Sequence, residues 1–143
     1  LENNQTVINT LNEFLQGQYM GIRAYERFIE KLEDDNVRKQ FQLMQQEHKQ
    51  HALQVAERIQ NLGGVPVNSE GVGGSIQGFL SQFRLPDTIE GMIESARKGE
   101  NEYGIGMSEE IVRGDLDEES RHLIESILDR DRQHVKILDE LLH

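Results

Sequence analysis

Apolar residues recur at intervals of three and four along most of this chain, and nowhere do they alternate long enough to make a strand. Ile8, Leu11, Leu15, Ile22, Tyr25, Ile29 and Leu32 form the first stripe, broken at Gln18, and predict a long amphipathic helix over roughly residues 5 to 33. Asp34, Asp35 and Asn36 supply turn and N-cap chemistry. The second stripe is Val37, Phe41, Met44, His48, His51, Val55, Ile59 and Leu62, closed by Gly63 and Gly64. A third helix is expected after Pro86, with Asp87 as N-cap and Glu90 three residues on. It carries Ile89, Ile93, Ala96, Glu100, Tyr103, Met107 and Ile111 on one face. Gly114 and Asp115 turn the chain, and a fourth helix carries Ile124, Ile127, Asp131, His134, Leu138 and Leu141.

Connection lengths set the topology. Helices one and two, and three and four, are joined by only a few residues, so each pair must be an antiparallel hairpin. Residues 63 to 86 differ, holding six of the thirteen Gly, both Pro and a short apolar patch of Ile76, Phe79, Leu80 and Phe83. This stretch reads as a linker with one or two helical turns. A helix of about 27 residues is about 40 Å long, and the linker can span that length. The expected fold class is all-α: one domain over residues 1 to 143, a four-helix bundle with one long crossover between helices two and three.

Composition narrows the function. Twenty-six acidic residues against fifteen basic give a net charge of −11, the wrong sign for gripping phosphate backbones, so no nucleic acid partner is expected. No stretch reaches the roughly 20 apolar residues of a bilayer helix, and Leu1 to Thr10 are polar rather than signal-like. Cys is absent, which removes disulfides and thiolate metal sites and fits a reducing, cytoplasmic setting.

The polar breaks in the stripes carry the chemistry. Gln18 lies 16 residues before the first turn, near residue 34, and His48 and His51 lie 14 and 17 after it. Glu100 lies 15 before the second turn, near residue 115, and Asp131 and His134 lie 16 and 19 after it. All six are therefore expected to point inward at about one level. Burying them demands a partner, because an unpaired ionised carboxylate in an apolar core costs several kcal/mol or more. Two arrangements answer that demand: a divalent cation held by carboxylates and imidazoles, or a metal-free network pairing Glu100 and Asp131 with protonated His. Convergence of six residues from four helices favours the cation.

Gln18, Ile22 and Tyr25, followed by His48-Lys49-Gln50-His51-Ala52 and Glu57-Arg58-Ile59, resemble the first two helices of bacterioferritin and rubrerythrin-type proteins. The resemblance implies membership of the ferritin-like diiron-carboxylate superfamily, in which each hairpin supplies one Glu and one Glu-x-x-His. Glu100 then matches the lone Glu of the second hairpin, Asp131-x-x-His134 its Glu-x-x-His, and His51 the His of the first. Gln18 and His48 stand where that pattern has carboxylates. With two charges removed, Glu100 and Asp131 neutralise one divalent ion, so the set favours a single nitrogen-rich site or an asymmetric pair.

The ligand set is thus His48, His51, Glu100, Asp131, His134 and Gln18, with Glu47, Tyr103 and Tyr25 as additional or supporting residues. One or two Fe ions are the expected cofactor, with Mn or Zn as alternatives. Active chemistry would hold Fe(II) on His51, His134, Glu100 and Asp131 and oxidise it with O2 or peroxide, in iron handling or oxidant defence. The competing reading is a metal-free structural or interaction bundle that has lost the reactive pair. A homodimer is expected, with the linker patch as the contact. Gly17, Gly21, Gly99, Gly104 and Gly106 suggest a close approach of helices one and three.

Overall fold

The computed structural model describes residues 2 to 143 and contains helices without strands among them. Helix α1 (Glu2–Lys31) and helix α2 (Asp35–Asn61) form the first hairpin. Asp34 caps α2, its carboxylate accepting the Val37 N–H at 3.0 Å, and Gly63 takes the left-handed conformation just past its end (φ 89°). The crossover includes a short helix α3 (Ser75–Gln82). The third rod comprises helix α4 (Ile89–Lys98), a π-helical segment (Gly99–Ile105) and helix α5 (Gly106–Arg113). Helix α6 (Glu118–Leu142) completes the bundle.

The crossover runs along α1. The Asn12 side chain accepts from the Val67 N–H at 2.9 Å and donates to the Val65 carbonyl at 3.1 Å, and Gln16 accepts from the Val72 N–H at 3.1 Å. Helix α3 then packs on α1 with Ile76 and Leu80 buried, and Phe83 meets Phe28 edge-on at 5.4 Å. The apolar patch expected to contact a second chain is therefore largely used within the chain. Arg58 ties α2 to the start of α6 by bonding Asp117 at 2.7 Å, Glu119 at 2.6 Å and Ser120 at 3.0 Å.

Apolar packing divides into two blocks. One unites Leu11, Phe14, Leu15, Val55, Ile59, Ile124 and Ile127 near the crossover's start. The other unites Tyr25, Phe28, Phe41, Met44, Met92, Ile93 and Leu138 near the α1–α2 turn. Gln18, His48, His51, Glu100, Asp131 and His134 are all buried, and on every long rod they fall between the two blocks.

Two expectations about the third rod need correction. Thr88, not Asp87, caps it, accepting the Gly91 N–H at 3.0 Å, while Asp87 pairs with Lys31 at 2.8 Å. The rod is also not a continuous α-helix. The wider π turn rotates less per residue than an α turn, so the following residues lag behind the regular phase: Tyr103 is 69% exposed, Met107 faces partly outward, and Ser108 takes the interior position instead. Neither Tyr103 nor Met107 belongs to the core face that regular spacing assigned them. The glycine expectation holds only in part: a Cβ on Gly17 would meet Met107 Sδ at 3.6 Å, whereas Gly21 and Gly99 have open space.

This register separates two substitutions. Phe41→Ala, at a fully buried ring, is expected to cost about 3–5 kcal/mol in urea unfolding. Tyr103→Ala should change stability by no more than about 0.5 kcal/mol; a loss as large as that of Phe41→Ala would restore the continuous-helix register.

Candidate metal centre

Each long rod delivers its part of the centre at the level between the apolar blocks. Helix α2 brings His48 and His51 one turn apart, and α6 brings Asp131 and His134 with the same spacing. Glu100 comes from the π segment, whose sequence Gly99-Glu-Asn-Glu-Tyr-Gly-Ile105 carries two glycines and is followed directly by Gly106. Gly104 permits the close approach to α6: a Cβ there would sit 3.3 Å from Asp131 Oδ2.

Glu100 is the hub. Its Oε1 accepts from His48 Nε2 at 2.5 Å, and its Oε2 from His134 Nδ1 at 2.7 Å. His48 Nδ1 donates to Gln18 Oε1 at 3.0 Å. The His48 ring stacks on Tyr25, with centroids 5.7 Å apart, and meets His134 edge-on at 5.2 Å. Asp131 Oδ1 lies 3.9 Å from His134 Nδ1. One ligand atom each from His48, Glu100, Asp131 and His134 falls within 4.8 Å of all the others, and all four residues are buried. A group of this kind could hold a metal ion.

The donors pass a test of fit that a self-contained network fails. Asp131 is 0% exposed, yet neither of its carboxylate oxygens has a hydrogen-bond partner, and His51 Nδ1 is likewise buried and unpartnered. Orphaned buried carboxylate oxygens cost free energy that a cation between them and the imidazoles would recover. A mixed carboxylate and imidazole set suits Fe(II), Mn(II) or Zn(II).

Electrostatics describe the protein without a metal. Burial would lower His48, but the Glu100 carboxylate and its hydrogen bond prevail and raise it to about 9. Burial would raise Glu100, but the His48 charge and the hydrogen bonds from His134 and His48 draw it down to about 2. Asp131 is pushed up to about 7, by burial first and then by Glu100. Burial, followed by the charges of His48 and His134, lowers His51 to about 4. Burial and then the Glu100 and Asp131 charges keep the Tyr25 hydroxyl well above its ordinary range; it donates to Met44 Sδ at 3.5 Å.

Of the residues expected in the ligand set, the structure brings His48, Glu100, Asp131 and His134 together, with His48 rather than His51 completing the group. Gln18 touches His48 at Nδ1, and His51 stands beside the four-residue group, its ring 6.0 Å from His48. Glu47 is at the rim: Arg130 grips both its oxygens at 2.7 and 3.0 Å, and its Oε1 lies 3.5 Å from His134 Nε2. Tyr103 is a correction: turned outward by the π segment, it does not support Glu100. Arg130 was missed, since an exposed Arg beside the stripe carries no periodic signal.

The bundle with its lengthwise crossover is a ferritin-like fold, and solved structures bear this out. A mutant of Dps1 from Mycobacterium smegmatis superposes with a TM-score of 0.85 at 18% identity, covering 99% of this chain and 98% of that one. A two-domain protein from Anabaena variabilis, with DJ-1/ThiJ/PfpI-like and ferritin-like domains, gives 0.87 at 19% identity over 97% of this chain; the match covers 39% of that chain. A dodecameric thioferritin, the bacterioferritin-related protein from Bacteroides fragilis, gives 0.79 at 20% identity, covering 97% of this chain and 85% of that one. The chain belongs to the DUF2383 family, described as a domain of unknown function, whose model matches residues 6–113. Helix α6, with Asp131 and His134, lies beyond that stretch. No curated protein matches the sequence. No helix among the described residues is long and apolar enough to cross a membrane.

The shifted groups fix a pH dependence for the metal-free protein. His48 folded keeps its proton to about 9 against 6.5 for the free side chain, so its stabilisation is whole below 6.5 and lost as pH rises through 9. Asp131 acts with the same sign between 3.8 and about 7. His51 and Glu100, both lowered, remove stability on the acid side, from 6.5 to about 4 and from 4.5 to about 2 respectively. Calorimetry in chelator should show the melting temperature falling from pH 6.5 to 9. A rise across that window would contradict these charge states.

Proposed function

We propose that this ferritin-like bundle binds one divalent transition-metal ion per chain on His48, Glu100, Asp131 and His134, with His51 adjacent, and that the ion is iron. The observation that carries the reading is the Asp131 carboxylate, fully buried with both oxygens unpartnered beside a bonded His–Glu–His set. Charge supports one ion rather than two, because Glu100 and Asp131 together balance a single divalent cation. Two imidazoles beside two carboxylates suit Fe(II), and the ferritin-like fold, shared with a thioferritin and a Dps protein, supports iron over Mn or Zn.

Iron handling or oxidant defence follows as the role, with Fe(II) as the substrate. Each Fe(II) oxidised to Fe(III) releases one electron. Two such events, with two protons, reduce one hydrogen peroxide to two waters, and O2 requires four. A centre holding one ion supplies these electrons singly, which fits storage, buffering or slow oxidation better than rapid turnover. The chain's own residues hold the ion, keep bulk water out through the two apolar blocks, and place His134 Nε2 under the Glu47–Arg130 pair at the rim. Assembly with further copies belongs to the same reading, a homodimer being its simplest form; a ferritin-like relative is dodecameric.

A second reading, a metal-free structural bundle, draws on the Glu100 hydrogen bonds to His48 and His134, which need no ion. Equilibrium dialysis of chelator-treated protein against Fe(II) under argon, followed by elemental analysis, separates the two. The metal reading expects one ion per chain in the native protein, and little or none in Asp131→Ala and His134→Ala. It also expects stabilisation of about 2.7 kcal/mol at a free-ion concentration a hundred times Kd. No bound ion and no thermal shift would leave the structural bundle.

A further inference from the structure

A neutral imidazole has one lone pair, so only one of its two nitrogens can face a cation, and the contact made by the other nitrogen decides which. For His48 that contact is Gln18. The carboxamide oxygen of Gln18 sits 3.0 Å from His48 Nδ1 and has no proton to give, so Nδ1 must keep its own. Nε2 is then the nitrogen left to face the group formed with Glu100, Asp131 and His134. The ring cannot easily turn over, being stacked on Tyr25 at 5.7 Å and packed edge-on against His134 at 5.2 Å. Reversing the amide would not help: an N–H aimed at Nδ1 would occupy that lone pair and leave a proton on Nε2, facing the ion.

We propose that Gln18 is a positioning residue that holds His48 as its Nδ1–H tautomer and thereby presents Nε2 to a divalent ion shared with Glu100, Asp131 and His134. The assignment rests on the metal-binding reading above. It gives Gln18 a role other than ligand and accounts for a buried amide at this place. An amide accepts the Nδ1 proton as a carboxylate would, but adds no third negative charge to a site where Glu100 and Asp131 already balance one divalent ion.

The test is a long-range proton–nitrogen NMR correlation on the full chain with 15N-labelled histidine, loaded with Zn(II) as a diamagnetic probe. The native protein should show His48 with a protonated Nδ1 and a zinc-shifted Nε2. Gln18→Leu should weaken zinc binding by about 10–100-fold and disturb that pattern, while Gln18→Glu, which keeps the acceptor, should retain it. Zinc on Nδ1 in the native protein overturns the assignment. So does loss of the Nδ1–H pattern in Gln18→Glu, or a Gln18→Leu variant with an unchanged His48 pattern and an affinity within about twofold of native. Should Gln18→Leu fail to fold, the native and Gln18→Glu spectra still decide. A native protein that takes up no zinc defeats the metal reading and this assignment together, whereas zinc held by the wrong nitrogen defeats this assignment alone.

Discussion

An ionised group can remain inside an apolar bundle only if something of opposite charge, or a full set of hydrogen bonds, is there with it. The interior of this protein is organised around that requirement. Two blocks of hydrocarbon packing are separated by a layer of six polar side chains drawn from all four long rods. Within the layer Glu100 satisfies itself by accepting from His48 and His134, and Gln18 satisfies the far side of His48. Asp131 has no such arrangement. The contrast between two carboxylates so close together, one fully bonded and one orphaned, is the physical basis for reading the layer as a cation site.

The third rod shows how backbone geometry serves that layer. A continuous α-helix would carry Tyr103 and Met107 on the same inward face as Glu100. The π segment instead turns both outward and sets Gly104 against Asp131, so the backbone bearing Glu100 lies close to α6. Widened turns of this kind are commonly found at functional sites. At the rim, the Glu47–Arg130 pair lies over His134 Nε2 and places a neutralised carboxylate between the buried layer and solvent.

Much of this was legible in the amino-acid order. Stripe periodicity located the long helices, connection lengths gave the crossover, and equal distances from the two turns put Gln18, His48, His51, Glu100, Asp131 and His134 at about one level, where all six are buried. Counting along a rod assumes a constant 3.6 residues per turn, and the π segment broke that assumption beyond Glu100. The glycines at 99, 104 and 106 were the available signal; spacing alone made them a helix–helix contact, although Gly104 in fact faces Asp131. The start of the third rod was misplaced by one residue because Asp87 and Thr88 are both good caps, and the Lys31 ion pair that draws Asp87 away is distant in sequence. Hydrogen-bond roles were not legible at all: that Gln18 supports His48 while Glu100 joins two histidines depends on side-chain geometry within the layer.

The central claim is that one cation belongs between the imidazoles and the orphaned carboxylate. Anomalous diffraction from crystals of the full chain grown with Fe(II), recorded on both sides of the iron edge, tests it most directly. A single strong peak within bonding distance of His48 Nε2, Glu100, Asp131 and His134 Nδ1 is the expected result. An empty centre, with Asp131 paired to a protonated histidine or any iron bound only at surface carboxylates, would contradict the account.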